Sequence, residues 1–287
     1  MKSAYIKYLA ALLLFGSNGV VASRIPLASY EIVFFRTMIG GFFLAFLFLM
    51  SGKKPAFWRQ KRQFWLLAGS GAAMGASWMF LYEAYRQIGV SVASLAYYCG
   101  PVLVAVLSPV LFREKLTAAK IAGFAAVVCG LFLVNGQALR EGNPAWGLFC
   151  GGMSAVLYAA MVILNKKVEK ITGLENSMFQ LLFGFITVAC FFIAKQGAVP
   201  AVEGNWAPVL ILGLVNTGVG CYLYFSSIGS LPVQTVAICG YLEPLSALLF
   251  SALFLGEALQ SVQIAGAALI LGGAVFGGAA AHKAVRQ

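Results

Sequence analysis

The chain is 287 residues long, 61% hydrophobic and only 10% charged, against about 25% charged in ordinary globular proteins. That composition excludes a soluble enzyme or soluble binding domain and describes a chain that spends most of its length in lipid. A net charge of +11 suggests a nucleic-acid partner, but its uneven placement orients the chain instead.

Windows of about 20 apolar residues, the length that crosses a hydrocarbon core of about 30 Å, fall at 4–22, 30–50, 65–86, 91–112, 118–136, 146–165, 175–194, 206–226, 232–255 and 258–280. The expected fold is therefore all-α, an integral membrane protein of ten transmembrane helices. The first window has the basic start and small residues of a signal peptide, but nine further spans depend on it for orientation. Alternate connections collect Lys2 and Lys7, then Lys53, Lys54, Arg59, Lys61 and Arg62, then Arg113, Lys115 and Lys120, then Lys166, Lys167 and Lys170, then Lys283 and Arg286. These are 15 of the 20 basic residues, which predicts a multi-pass cell-membrane protein with both termini cytoplasmic.

In chain order, the first polar groups at depth are Asn18 in the first span and Arg36 in the second. In the third, Trp78 lies thirteen residues inside, with Tyr82 one turn later and Gly71 and Gly75 on the same face. Such a small-residue stripe points toward protein rather than lipid. Glu83 stands near the outer interface with Arg86 at i+3, as an ion pair or a substrate contact. Tyr97, Tyr98, Tyr158, Tyr224 and Tyr241, with Asn216, add polar handles suited to an aromatic-lined pocket for a flat or cationic metabolite. Trp65, Trp146 and Trp206 open their spans and read as interface anchors. Six cysteines sit in apolar windows without C-x-x-C spacing, indicating neither a disulfide framework nor a metal site.

Glu243 is eleven residues into the ninth span, roughly 16 Å along a helix and so near the bilayer centre. A charge there costs at least about 2.5 kcal/mol unless it is paired or wetted. At helical spacing its neighbours are Val236, Cys239, Gly240 and Ala247, with Ser246 beside it. Pro244 follows directly, and a proline deprives the carbonyl four residues back of its helical partner. Helix breaks are expected at Pro244, freeing the Gly240 carbonyl, and at Pro101, freeing that of Tyr97. Three roles fit Glu243: proton carrier, substrate contact, or a structural lock on a neighbouring helix.

Sliding the sequence on itself by 143 residues sets YYCGPVLVAVLSPVLFREKLTAAKIAG (97–123) against GYLEPLSALLFSALFLGEALQSVQIAG (240–266) without a gap. Pro101 meets Pro244, Ser108 meets Ser251, Gly123 meets Gly266 and, further on, Gly130 meets Gly273. Two copies in ten spans give five each, and an odd number makes the second copy enter the membrane from the opposite side. The expectation is two inverted five-helix repeats, at 1–138 and 144–281.

Each copy also carries a proline followed thirteen residues later by the glutamate of a leucine-rich ending, Phe112 to Leu116 and Leu255 to Leu259. This arrangement, over the whole chain, resembles the EamA-type permeases of the drug/metabolite transporter superfamily. The first copy departs from the pattern, with Gly100 where the second has Glu243. The resemblance implies a permease that exports small organic metabolites by alternating access, with no cofactor.

An enzyme is disfavoured by inventory: all nine acids are glutamate, and the one histidine is His282 in the tail. No Walker motif is present, so energy would come from a gradient, through protons or a counter-substrate, rather than from ATP on this chain. The expected function is export of a small organic metabolite such as an amino acid, with Arg36 and Glu243 receiving opposite ends of a zwitterion. Import of a cationic amine such as choline is the alternative, and a non-transporting scaffold or an intramembrane enzyme the alternative of another class.

Overall fold

A computed structural model describes residues 2–113, 117–135, 144–196, 205–256 and 261–284. Glu114, Glu141, Glu203 and Glu257, which the sequence places in loops or at span ends, lie outside these residues. The described residues are helical and contain no strand. Among the described residues, seven helical stretches are long and apolar enough to cross a membrane, and three further apolar helices are shorter. The surface carries the apolar side chains that lipid demands: Leu49, Val110 and Leu253 are more than 70% exposed.

The elements are α1 (Lys2–Gly16), α2 (Asn18–Ala22), α3 (Ser29–Met50), α4 (Lys61–Tyr97), α5 (Cys99–Phe112), α6 (Ala118–Asn135), α7 (Ala145–Lys166) and α8 (Gly173–Gln196). These are followed by α9 (Ala207–Leu210), a π-helical segment (Ile211–Val219), α10 (Gly220–Ile228), α11 (Val233–Cys239), α12 (Leu242–Leu255) and α13 (Ser261–Ala284). Helix starts follow local chemistry where it is available. At α3, Glu31 in the first turn accepts the Ala28 amide at 2.8 Å, satisfying a donor that has no partner within the helix.

The spans predicted at 65–86 and 91–112 are joined by a continuous helical run rather than by a loop. If straight, α4 would measure about 55 Å, well beyond a bilayer core. It is not straight. Its first arm runs antiparallel to α7, with Ser70 Oγ donating to the Met161 carbonyl at 2.7 Å and Ser77 Oγ to that of Ser154 at 2.8 Å. Near Gly147 it reaches Gln87 and Ile88. Beyond that point Ala96 packs on Gly151, and Gly100 packs on Ala155 and Tyr158, so the second arm runs parallel to α7. Gly151 has Ala84, Ile88 and Ala96 all within reach of a Cβ, although 84 and 96 would be about 18 Å apart on a straight helix. The chain therefore doubles back between Ile88 and Ala96.

Helices α5 and α12 occupy ranges offset by 143 residues at both ends. Tyr98 (φ −72°, ψ −1°) precedes one and Tyr241 (φ −72°, ψ −5°) the other. Both end on a left-handed residue, Arg113 at φ 56° and Gly256 at φ 70°. A left-handed residue past the last turn stops a helix, and glycine adopts it without the Cβ strain that arginine bears. The Tyr241 hydroxyl donates to the Tyr98 carbonyl at 2.9 Å, tying the two interruptions together.

Helices α6 and α13 cross antiparallel through reciprocal glycines. A Cβ on Gly130 would lie 2.5 Å from the Gly266 carbonyl oxygen, and one on Gly273 would lie 2.6 Å from that of Gly123. Gly273→Val is accordingly expected to lower thermal stability in detergent by about 1–3 kcal/mol, the usual cost of overpacking. Scanning calorimetry or dye-monitored unfolding checks this, and an unchanged midpoint would contradict the close approach.

Candidate functional site

A cavity of about 450 Å³ opens between α1, α2, α3, α4, α7, α10 and α12. Of the residues singled out in the sequence, Asn18, Arg36, Trp78, Tyr82, Tyr97, Tyr98, Tyr158, Tyr224 and Glu243 line it. Glu83, Asn216, Tyr241, Pro101 and Pro244 do not.

Arg36 is 5% exposed, its guanidinium carbon 4.6 Å from the centroid of the Trp78 ring. Its Nε donates to Thr217 Oγ1 at 3.0 Å. Stacking and one fixed hydrogen bond orient the guanidinium on the cavity wall. Thr217 is available because the helix around it is π-wound: its hydroxyl donates to the Leu212 carbonyl, five residues back, at 2.8 Å. Such π segments recur at functional sites because they turn one residue out of the regular face.

The same segment moves Asn216 away from the cavity lining. Its Nδ2 donates to the Leu14 carbonyl and to Ser17 Oγ, both at 2.8 Å. Ser17 is the residue at which α1 gives way to α2, so Asn216 holds a helix interruption instead of contacting the cavity. Asn18 Oδ1, just beyond it, is buried and has no hydrogen-bond partner among the described residues. It is an acceptor on the cavity wall, and an unmet acceptor at that depth favours a ligand donor.

Glu243 begins the second half of its span, but Val236 and Cys239 belong to the separate helix α11, so the continuous small-residue stripe read from the sequence is interrupted at Gly240 and Tyr241. The Gly240 carbonyl is not freed by Pro244 either. It accepts the Glu243 amide at 3.1 Å, a tighter i+3 bond made possible because Pro244 sits in the first turn of a new helix. The Glu243 carboxylate itself has no hydrogen bond or ion pair from the described residues, and its separation from every nitrogen of Arg36 exceeds the 4.0 Å of an ion pair. Two opposite charges thus face one cavity without meeting.

Aromatic rings form the rest of the wall. Tyr97 packs on Tyr98 at 5.5 Å and on Tyr158 at 5.3 Å, and the Tyr158 and Tyr224 hydroxyls are 3.2 Å apart. Phe15, Tyr85 and Phe225 complete it and were not among the site residues read from the sequence. The 143-residue offset is the signal that locates two of them. Phe15 is the counterpart of Tyr158 and Phe225 of Tyr82, just as Tyr224 answers Leu81 and Cys221 answers Trp78, and all eight line the cavity.

The rim is formed by Ala22, Ser23 and Ser94 at one end of the bundle. At the other end the helices are tied together by hydrogen bonds. There Lys166 Nζ donates to the carbonyls of Ile228, Gly229 and Leu231, and Tyr8 donates to Val236 at 2.7 Å. Asn165 donates to Asn176 at 2.9 Å and to Gln180 at 3.0 Å in a fully buried cluster.

Residues 2–136, and again 145–277, match the EamA-like transporter family. An uncharacterized transporter of Bacillus subtilis (strain 168), YxxF, is 27% identical over 274 residues, covering 94% of this chain and 88% of that one. A protein of Streptantibioticus cattleyicolor named as a probable terminal-alkyne amino-acid exporter is 26% identical over 214 residues, 71% of each chain. A solved crystal structure superposes with a TM-score of 0.81 over 99% of both chains at 21% identity, a likeness of fold.

Proposed function

The chain belongs to the EamA-like transporter family and is a multi-pass membrane transporter for a small molecule, and from that premise we propose that it is a secondary carrier exporting an amino-acid-like zwitterion across the cell membrane. One observation carries this reading: Arg36 and Glu243 face the same aromatic cavity without pairing, so a carboxylate and an ammonium fit between them. Leaving two charges dehydrated and unpaired is costly unless a ligand or water completes them. Asn18 Oδ1 adds a second acceptor for the ammonium. The rings and Met74, Met161 and Leu212 accept an apolar side chain. A cationic amine is the second reading, favoured by the tyrosines and Glu243 and disfavoured by Arg36 in the same space. Export is supported by the relative named as an amino-acid exporter.

Alternating access follows from architecture. We propose ten spans in two inverted five-helix repeats at 1–138 and 144–281. The seven long and three shorter apolar helices support that count, and the two family matches support the division. Helices offset by 143 residues that cross antiparallel at reciprocal glycines support a twofold axis in the membrane plane. With both termini cytoplasmic, the Ser23 and Ser94 rim faces outward and the Lys166 end inward. Reporter fusions should place 51–63 and the C-terminal tail inside and 137–145 and 196–205 outside. Two on the wrong side would dissolve the inversion.

Substrate class is tested by thermal shift of the purified protein against amino acids, amines, nucleosides and vitamins, followed by exchange in proteoliposomes, because a ligand that prefers the folded state stabilises it. Amino acids with large apolar side chains are expected to stabilise and to exchange. Stabilisation and exchange by amines alone would favour the second reading, and no exchange of any solute would favour a scaffold.

A further inference from the structure

Two tyrosines occupy the same place in the two copies and do different things. Tyr98 and Tyr241 are 143 positions apart, and each is the residue before a half-span helix, with near-identical backbone angles. Their side chains are not equivalent. Tyr241 is 0% exposed, and its hydroxyl donates to the Tyr98 carbonyl at 2.9 Å. Tyr98 lines the central cavity, and the Tyr241 carbonyl accepts the Leu245 amide from the next turn at 3.4 Å. The bond between these counterparts therefore runs one way.

The same asymmetry marks the two ends of the bundle. The 143-residue offset carries the cavity rim onto the opposite end: Ala22 and Ser23 correspond to Asn165 and Lys166, and Ser94 to Ala237. Those counterparts are engaged. Asn165 donates to Asn176 and Gln180, and Lys166 donates to three carbonyls. Ala237 is 1% exposed, next to the Val236 carbonyl that accepts Tyr8. Positions at the rim in the first copy are thus packed in the second. In two inverted copies, an exchange of conformations opens the second set and packs the first.

We infer that Tyr98 and Tyr241 form a reciprocal latch for that exchange, an inference that rests on the inverted-repeat reading proposed above. In this structure the Tyr241 hydroxyl holds the Tyr98 carbonyl while Tyr98 stands on the cavity wall. In the state open at the other end, the Tyr98 hydroxyl holds the Tyr241 carbonyl, and Tyr241 takes its place on the wall. The two bonds are chemically alike, so the pair stabilises each state by a similar amount and favours neither. Both tyrosines are positioning residues of the transport cycle, acting through the backbone at the helix interruptions.

Cysteine reporters at one pair of counterpart positions test this without any solute. S94C reports the open rim and A237C the packed end; each is reacted with N-ethylmaleimide in detergent, and label is counted beyond that of the same protein without the added cysteine. Y241F is expected to raise the rate at A237C relative to S94C by about two- to twelvefold, the worth of one net hydrogen bond. Y98F should lower it by a similar factor, and the double variant should return to the wild-type ratio. A tyrosine that merely supports the fold does not give opposite signs. Shifts in the same direction, or no shift with Y98F, would overturn the latch while leaving the substrate reading intact. Reporter fusions on the wrong side of the membrane would instead remove the inversion and the latch with it. Should A237C not fold, T235C reports the same helix end: Thr235 is 1% exposed, and its hydroxyl has no hydrogen-bond partner among the described residues to lose.

Discussion

Glu243→Gln is expected to abolish gradient-driven transport while leaving a protein at least as stable as the wild type. The stability half of this expectation follows from the geometry. The carboxylate takes no hydrogen bond or ion pair from the described residues, so replacing it removes an expensive charge at membrane depth and breaks no protein contact. Three assays on one variant separate the roles. If Glu243 carries a proton, exchange of substrate across the membrane persists in the Gln variant while uptake driven by a gradient disappears. If it receives the ammonium of the substrate, binding itself weakens and exchange falls with it. A Gln variant that unfolds more readily yet transports with normal affinity and coupling would show Glu243 to be a structural lock and would sink the functional reading.

Arg36→Gln should be the most damaging change to affinity, weakening substrate binding roughly 30- to 5000-fold, as truncating one partner of a desolvated charge pair costs about 2–5 kcal/mol. Arg36→Lys should recover only part of this. It keeps the charge, but an ammonium has no planar face to lay on Trp78 and no Nε to donate to Thr217. Isothermal titration in detergent measures both. Because the guanidinium has no carboxylate partner among the described residues, the Gln variant should lose affinity without losing thermal stability, the trade seen where a site keeps charges for its ligand. Affinity within twofold of wild type would place the substrate carboxylate elsewhere.

Most of the cavity was legible because polar and charged side chains are costly in lipid, so those at depth are few and tend to face inward. Arg36, Trp78, Tyr82 and Glu243 stood out for that reason, and the structure sets them around one space. Phe15 and Phe225 carry no such mark. A buried phenylalanine looks like any lipid-facing one until the 143-residue offset pairs it with a cavity tyrosine. Glu83 and Tyr82 are adjacent in sequence and lie on opposite sides of α4. Hydrophobic periodicity does not tell these sides apart when lipid makes one face as apolar as the core makes the other.

By itself the sequence determined that this chain lives in a membrane, because only lipid tolerates so many apolar and so few charged residues. It also determined that 97–123 aligns without a gap on 240–266 and that the second stretch alone carries an acid before its proline. Tertiary structure decided the rest. The reversal of α4 between Ile88 and Ala96 exists because α7 is there to receive both arms. Asn216 holds a helix interruption and Thr217 holds Arg36 because a π-wound turn rotates them relative to α1 and α3. Arg36 and Glu243, 207 positions apart in the chain, come to share a cavity and yet stay unpaired. That spacing depends on how α3 and α12 lean on their neighbours, and helix packing sums contacts between segments whose separation along the chain carries no record of it.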